Sequence, residues 1–328
     1  MKIKKSYLHI FFLLISNSLL FAQQTAKPTI KHLEIPAHKS NEAIIAHFAY
    51  TLSYNEKYEQ ANWVAYELTD AETNSIIKRG NNFITDPLVS TQSANNSDYS
   101  KSGFDRGHLA PAGDMGWSIK AMEESFYYSN MSPQVPSFNR GIWKRLEDLG
   151  RNWAKLYSSV YIVTGPIFED SLPTIGPNKV AVPKYYYKVI LDYHSEYAKG
   201  IGFIMPNRGA KGDLENYAIS IDSVEKVTGI DFFHNLPDED ERLIEGHIKI
   251  DAWSWTHVKK SNSDEDKLNR TALDRADQTQ ENKGHDNLNK GLHDATKNAT
   301  SVQCSRKTKK GIRCKNFTKN ANGRCHLH

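Results

Sequence analysis

The sequence predicts an α+β fold. Runs at 48–54, 63–68, 160–164, 185–193 and 200–205 are rich in β-branched and aromatic residues and read as strands. Ile142, Trp143, Leu146 and Leu149 recur at three- and four-residue steps, which is helical spacing. The chain has 328 residues, 39% hydrophobic and 11% aromatic, so a sizeable core forms only if the polar segments lie outside it. A net charge of +4 is compatible with a polyanionic partner but does not by itself point to one.

In chain order, residues 1–22 read as a secretory signal. Lys2, Lys4 and Lys5 precede an apolar run, and Ala22 stands at a cleavage position. No Cys follows that run, which argues against a lipoprotein. The run is short and broken by Ser16, Asn17 and Ser18, so cleavage is favoured over a membrane anchor. The expected product is exported, to the periplasm or outside the cell, with no stable membrane association. Residues 23–44 are polar, contain Pro28 and Pro36, and are expected to be loosely ordered.

The globular part is expected over 45–258. Within it, 90–102 reads as a Ser/Asn-rich surface loop with Tyr99 at the rim of a site. Residues 118–127 read as a short helix and 132–134 as a loop. A helix is expected over 221–228, closed by Gly229, after which Phe232 and Phe233 pack back on the sheet. Residues 259–302 mix charges with Asn, Thr and Gln and read as a disordered linker.

The last stretch, 303–328, carries all three cysteines. Cys304, Cys314, Cys325 and His328 have the spacing C-x9-C-x10-C-x2-H, a candidate Cys₃His site for structural Zn²⁺. His326 is an alternative ligand. A disulfide would leave one thiol over, so metal explains the count better, although exported cysteines tend to oxidise. The segment is basic, with no Asp or Glu. It is either a nucleic-acid or acidic-surface binder or a solvated tail.

The densest chemistry lies in Phe104-Asp105-Arg106-Gly107-His108-Leu109-Ala110-Pro111-Ala112. Arg106 offers a planar donor fork suited to phosphate, and His108 can take up a proton near neutral pH. Gly107 lets the backbone approach another group closely. The bland reading is a surface Asp-Arg pair and a satisfied loop histidine. A second segment, 139–151, changes the balance. Asn139, Trp143, Glu147 and Arg151 lie four apart, so on a helix they share one flank. Asn139 Oδ1 is a hard oxygen ligand suited to Mg²⁺, Glu147 can hold metal-bound waters, and Arg151 can meet a phosphate. The bland reading is an amphipathic helix with an i,i+4 ion pair.

Together the segments resemble the DNA/RNA non-specific endonucleases, the ββα-metal (His-Me finger) nucleases that include endonuclease G. The likeness rests on Asp105 to His108, on Asn139, Glu147 and Arg151, on Val163 to Pro166, and on Trp63 to Thr69. Arg79, followed by Thr85-Asp86-Pro87, resembles the family's additional phosphate-binding arginine. The resemblance spans about 45–255. It implies a central, mainly antiparallel sheet flanked by helices and one Mg²⁺ (or Mn²⁺). It implies DNA and RNA as substrates. His108 is then the general base, Asn139 the metal ligand, Arg106 and Glu147 further catalytic groups, and Arg79 and Arg151 substrate contacts. Asp105 shapes the turn or positions a neighbour. Oligomeric state stays open, a homodimer included. The competing readings are a phosphodiesterase of the same fold acting on small esters, and a non-catalytic nucleic-acid-binding protein.

Overall fold

The computed structural model describes residue 27, residues 29–256, and two short strands, Val302–Gln303 and Phe317–Thr318. The chain divides into two units, Met1–Val258 and Lys259–His328, each taken here by itself.

The first unit holds β1 (Ala43–Ala46), β2 (Thr51–Asn55), β3 (Gln60–Thr69), β4 (Asp105–His108), β5 (Met131–Gln134), β6 (Ser159–Ile167), β7 (Thr174–Ile175), β8 (Val180–Ala181), β9 (Tyr185–Asp192), β10 (Lys199–Pro206) and β11 (Ala218–Ile219). Its α-helices are α1 (Asn96–Tyr99), α2 (Ile119–Glu124), α3 (Lys144–Tyr157), α4 (Ile221–Thr228) and α5 (Asp238–Glu245). Seven strands form one sheet in the order β1-β2-β3-β6-β9-β10-β11, and every pairing is antiparallel.

Both faces of that sheet are covered, which is why β6 and β9 read as nearly continuous apolar runs. On one face Val64, Tyr66, Leu68, Ile162 and Ile190 pack against Trp143, Leu146, Leu149 and Trp153 of the α3 region. On the other, Trp63, Ala65, Val163 and Val189 meet Ile221, Val224, Phe232, Phe233 and Ile244. The sheet is therefore the middle layer of three. The four α3-region side chains named above are all fully or nearly fully buried, so the spacing of the apolar residues identified the inward face of that helix.

The structure corrects several expectations. From residue 29 on, the segment expected to be loose is packed: Leu33 is fully buried, and Ala37 N–H donates to the Asp231 carbonyl at 2.9 Å. Residues 132–134 are strand, not loop, because β5 pairs antiparallel with β4 (Asp105 opposite Gln134, His108 opposite Met131). Within 90–102 a short helix forms, started by a capping box in which Asn95 and Asp98 satisfy each other's backbone N–H ends. That turn pulls Tyr99 into the interior, so it forms no rim. Tyr186 and Tyr187 are likewise fully buried packing residues, with Tyr187 against Phe232 at 5.5 Å. Gly229 ends α4 at φ 69°, as expected of a left-handed cap.

In the second unit Val302–Gln303 pairs antiparallel with Phe317–Thr318. The expected signal segment 1–22, linker 259–302 (save Val302) and ligands Cys304, Cys314, Cys325 and His328 lie outside the described residues.

Candidate active site

β4, the π-helical turn before α3, and α3 itself line a cleft of about 410 Å³. Arg79, Arg106, His108, Asn139, Glu147 and Arg151 all line it, together with Arg140 and Lys144. The six side chains singled out in the sequence thus converge, although they come from three separate stretches.

His108 is set by its strand. Immediately after it, Leu109 N–H donates to the Asn130 carbonyl at 3.0 Å and Ala110 N–H to Asn130 Oδ1 at 2.8 Å. The buried Asn130 amide returns a bond to the Ala110 carbonyl at 2.9 Å, so the backbone leaving His108 is fixed on both sides. The imidazole stands edge-on to Phe126 at 4.9 Å and to Phe83 at 5.8 Å. Burial, aided by the Arg79 charge and opposed by a backbone hydrogen bond from the ring to Arg106, lowers its pKa to about 3. Nε2 is buried with no partner, so that backbone bond falls to Nδ1. The ring is neutral at pH 7, and its bare nitrogen is Nε2.

Gly107 is required by packing. A Cβ there would stand 2.2 Å from Gln134 Cδ, so the close approach inferred from the sequence is to a side chain across the ladder.

Asn139 does not share a helix with Glu147. It lies in a wide turn, Phe138–Trp143, broken at Gly141, and α3 begins only at Lys144. The expected single flank through 139–151 is therefore broken by the kink at Gly141, with the amide on a π-helical turn and the carboxylate on α3, both lining the cleft. Asn139 Nδ2 donates to Asp105 Oδ2 at 2.9 Å, which turns Oδ1 away from that carboxylate. Arg140 grips Asp105 with both ends of its fork, at 2.8 and 2.5 Å. Burial opposes ionisation of Asp105, but the bonds from Arg140 and Asn139 outweigh it and hold the carboxyl below its ordinary pKa.

Glu147 lies within the fields of two cations. Burial raises its pKa, while Lys188 and Arg151 pull it down. Lys188 is itself buried on β9, where it donates to Thr164 Oγ1 and lies 5.2 Å over the Trp143 ring. Burial lowers its pKa and Glu147 opposes that shift.

Arg151, expected to meet a phosphate, is held instead by two carboxylates, Asp114 and Asp148. Asp114 also accepts from Tyr66 Oη at 2.7 Å. Gly113 makes room for this arrangement, since a Cβ there would stand 2.9 Å from Arg151 Nη1. Arg106 is aimed by Tyr128 Oη at 3.0 Å and Asn96 Oδ1 at 2.5 Å, and lies over Phe83 at 4.9 Å.

The cleft suits a divalent cation that arrives largely hydrated. No cluster of three or more His, Cys, Asp or Glu ligands forms there among the described residues. The donors are one amide oxygen, Asn139 Oδ1, and the Glu147 carboxylate, set among five cationic side chains. Mg²⁺ is commonly held in this way, by one or two protein oxygens with water and substrate phosphate completing the shell.

Sequence reasoning missed Arg140, Lys144, Asp114 and Lys188. The signal for Lys188 was present: it alternates with Tyr186 and Ile190 on an inward strand face. Arg140 is adjacent to Asn139, but nothing in the sequence showed it reaching Asp105.

A histidine strand, its partner strand and a helix around a cationic cleft define a nuclease of the ββα type. Comparison with known proteins agrees: the DNA/RNA non-specific endonuclease family profile matches residues 31–239. Nuclease C1 of Cunninghamella echinulata var. echinulata is 41% identical over 209 residues, covering 57% of this chain and 81% of the relative. Mitochondrial endonuclease G of Homo sapiens is 36% identical over 203 residues, covering 57% and 68%. A chain in the crystal structure of the EndoG/EndoGI complex superposes with a TM-score of 0.59 at 32% identity, covering 66% of this chain and 96% of that one. The chain belongs to the DNA/RNA non-specific endonuclease family, and its class is that of a hydrolase of phosphodiester bonds.

Proposed function

We propose that this chain is an exported, Mg²⁺-dependent endonuclease that cuts both DNA and RNA with little regard to sequence. The observation that carries this reading is the unpartnered Nε2 of His108 in a cleft shared with Asn139 Oδ1. Nε2 takes the proton from the attacking water, as a general base. Phosphate brought into the cleft offsets the Arg79 charge and so raises the proton affinity of His108 from its resting low value. Asn139 Oδ1 would hold Mg²⁺, and Glu147 would orient its waters. When bound, the metal neutralises charge that builds on the phosphate oxygens. Arg106, with Arg79, clamps the phosphate through its donors. Arg151, oriented by its ion pairs with Asp114 and Asp148, lines the same cleft and keeps further donors for phosphate. Nothing in this set reads base edges, hence the broad substrate range.

The test is cleavage of supercoiled plasmid and of unstructured RNA by the mature full chain, with Mg²⁺ and with EDTA, beside His108→Ala. Metal-dependent cutting of both, lost in the variant, is the expected result. Binding without cutting would overturn it in favour of a binding protein, and cutting of small diesters alone in favour of a phosphodiesterase. Export is tested separately, by sequencing the N-terminus of the secreted product, with cleavage after Ala22 expected.

A further inference from the structure

A second cluster of acidic groups lies on the opposite face of the sheet. Asp222 and Glu225 stand one turn apart on α4, and Glu245 ends α5. Gly200 explains how they meet. A Cβ at that position on β10 would strike Ile221 Cδ1 at 2.6 Å and Ile244 Cγ2 at 3.0 Å, so its absence lets both helices settle over one point of the strand. The residues next to those two isoleucines, Asp222 and Glu245, are thereby drawn together. Oxygens of Asp222, Glu225 and Glu245 all lie within 4.8 Å of one another.

An acidic cluster on a surface means little by itself. Here Glu245 is 2% exposed, and its Oε1 is buried without a hydrogen-bond partner. Among the described residues no lysine or arginine ion-pairs with any of the three. Burial, followed by the charges of Glu225, Glu241, Asp222 and Asp231, pushes the Glu245 carboxyl up to about 9. A buried carboxyl facing other carboxylates is kept neutral by its own proton unless a cation takes the proton's place.

We infer that Asp222, Glu225 and Glu245 form a structural Ca²⁺ site that ties α5 to α4, separate from the nuclease cleft. The all-oxygen donor set, with no His or Cys, selects a hard cation. Three protein carboxylates suit Ca²⁺, which takes about six to eight oxygens in a flexible shell, better than Mg²⁺, which keeps most of its waters. Water completes the shell. The site carries no step of the reaction: α4 and α5 pack on the sheet face away from α3. Its effect is to hold α5, whose first turn is wholly acidic, against the body of the domain.

The experiment uses the full chain carrying Asn139→Ala, so that the cleft contributes no metal ligand from that position. Equilibrium dialysis with Ca²⁺ is expected to show one ion bound per chain. The thermal midpoint is expected to rise by about 5–10 °C at about 100 times the dissociation constant, and less in equimolar Mg²⁺. Adding Glu225→Gln with Glu245→Gln should abolish both the binding and the shift. In EDTA that variant should unfold no lower than its parent, because like-charge repulsion has been removed. No bound Ca²⁺ in the parent, or a full shift in the Gln variant, overturns the site. An equal shift with Mg²⁺ overturns the choice of ion. Should the Gln variant not fold, the stoichiometry in the parent decides the matter alone.

Discussion

Asn139 Nδ2 donates to Asp105 Oδ2 at 2.9 Å, so the acid of the Asp-Arg-Gly-His stretch positions the amide 34 residues later. The bond decides which end of the Asn139 side chain is the oxygen end toward the cleft. Asp105→Ala should leave that amide free to turn. The expected outcome is a rise of about 10- to 100-fold in the Mg²⁺ needed for half-maximal rate, with the rate at saturation falling less. A metal titration of nuclease activity checks it, and an unchanged midpoint would show that Asp105 does not position Asn139.

His108 should separate catalysis from binding. His108→Ala is expected to lower kcat by about 10²- to 10⁴-fold, while affinity for DNA, measured in Ca²⁺ without turnover, changes little.

The same residue gives a pH signature in stability. Its folded pKa of about 3 lies below the unfolded value of about 6.5. Its contribution is therefore whole above pH 6.5 and is lost as pH falls from there toward 3, by at most about 1.4 kcal/mol per pH unit. Denaturant unfolding at stepped pH should show a shallower acid decline in His108→Asn than in the parent. Parallel curves would place the imidazole in a wetter setting.

Lys188 is the buried cation whose charge acts most strongly on Glu147. Lys188→Met removes that charge. Glu147, relieved of the one charge that most lowers its pKa, should hold its proton to higher pH. The acid limb of the rate profile then shifts upward at fixed Mg²⁺, a shift that a purely structural role would not produce.

Arg151 and Arg140 should behave oppositely. Arg151→Met breaks a nearly buried pair with Asp114 and is expected to cost about 3 kcal/mol of stability. Lys144→Ala and Arg140→Ala remove exposed cations at the cleft mouth. Stability should hardly move, but the salt slope of DNA affinity should fall by up to about 1 for each cation that contacts phosphate.

The sequence by itself marked the main strands, the inward face of the helix and a candidate site. Strand periodicity located β3, β6, β9 and β10, since residues alternating on a sheet buried on both faces must be apolar throughout. The spacing of Trp143, Leu146 and Leu149 located the inward face of α3. The Asp105–His108 stretch, Asn139 and Glu147 marked a candidate site, and the fold gathers Arg106, His108, Asn139 and Glu147 along one cleft.

What only the tertiary structure decided is pairing, which depends on distances across the fold rather than along the chain. Residues 132–134 read as a loop because Pro133 and their short length hide a strand that exists only by pairing with β4. The break at Gly141 moved Asn139 off the helix that its spacing suggested. Arg151, expected to meet a phosphate, is ion-paired with Asp114, 37 residues away, and nothing along the chain links the charge of Lys188 on β9 to that of Glu147 on α3. Hydrophobic periodicity is a local property and is written along the sequence. Which charge neutralises which is set by the packing that brings them together, and it becomes visible only once the layers have closed.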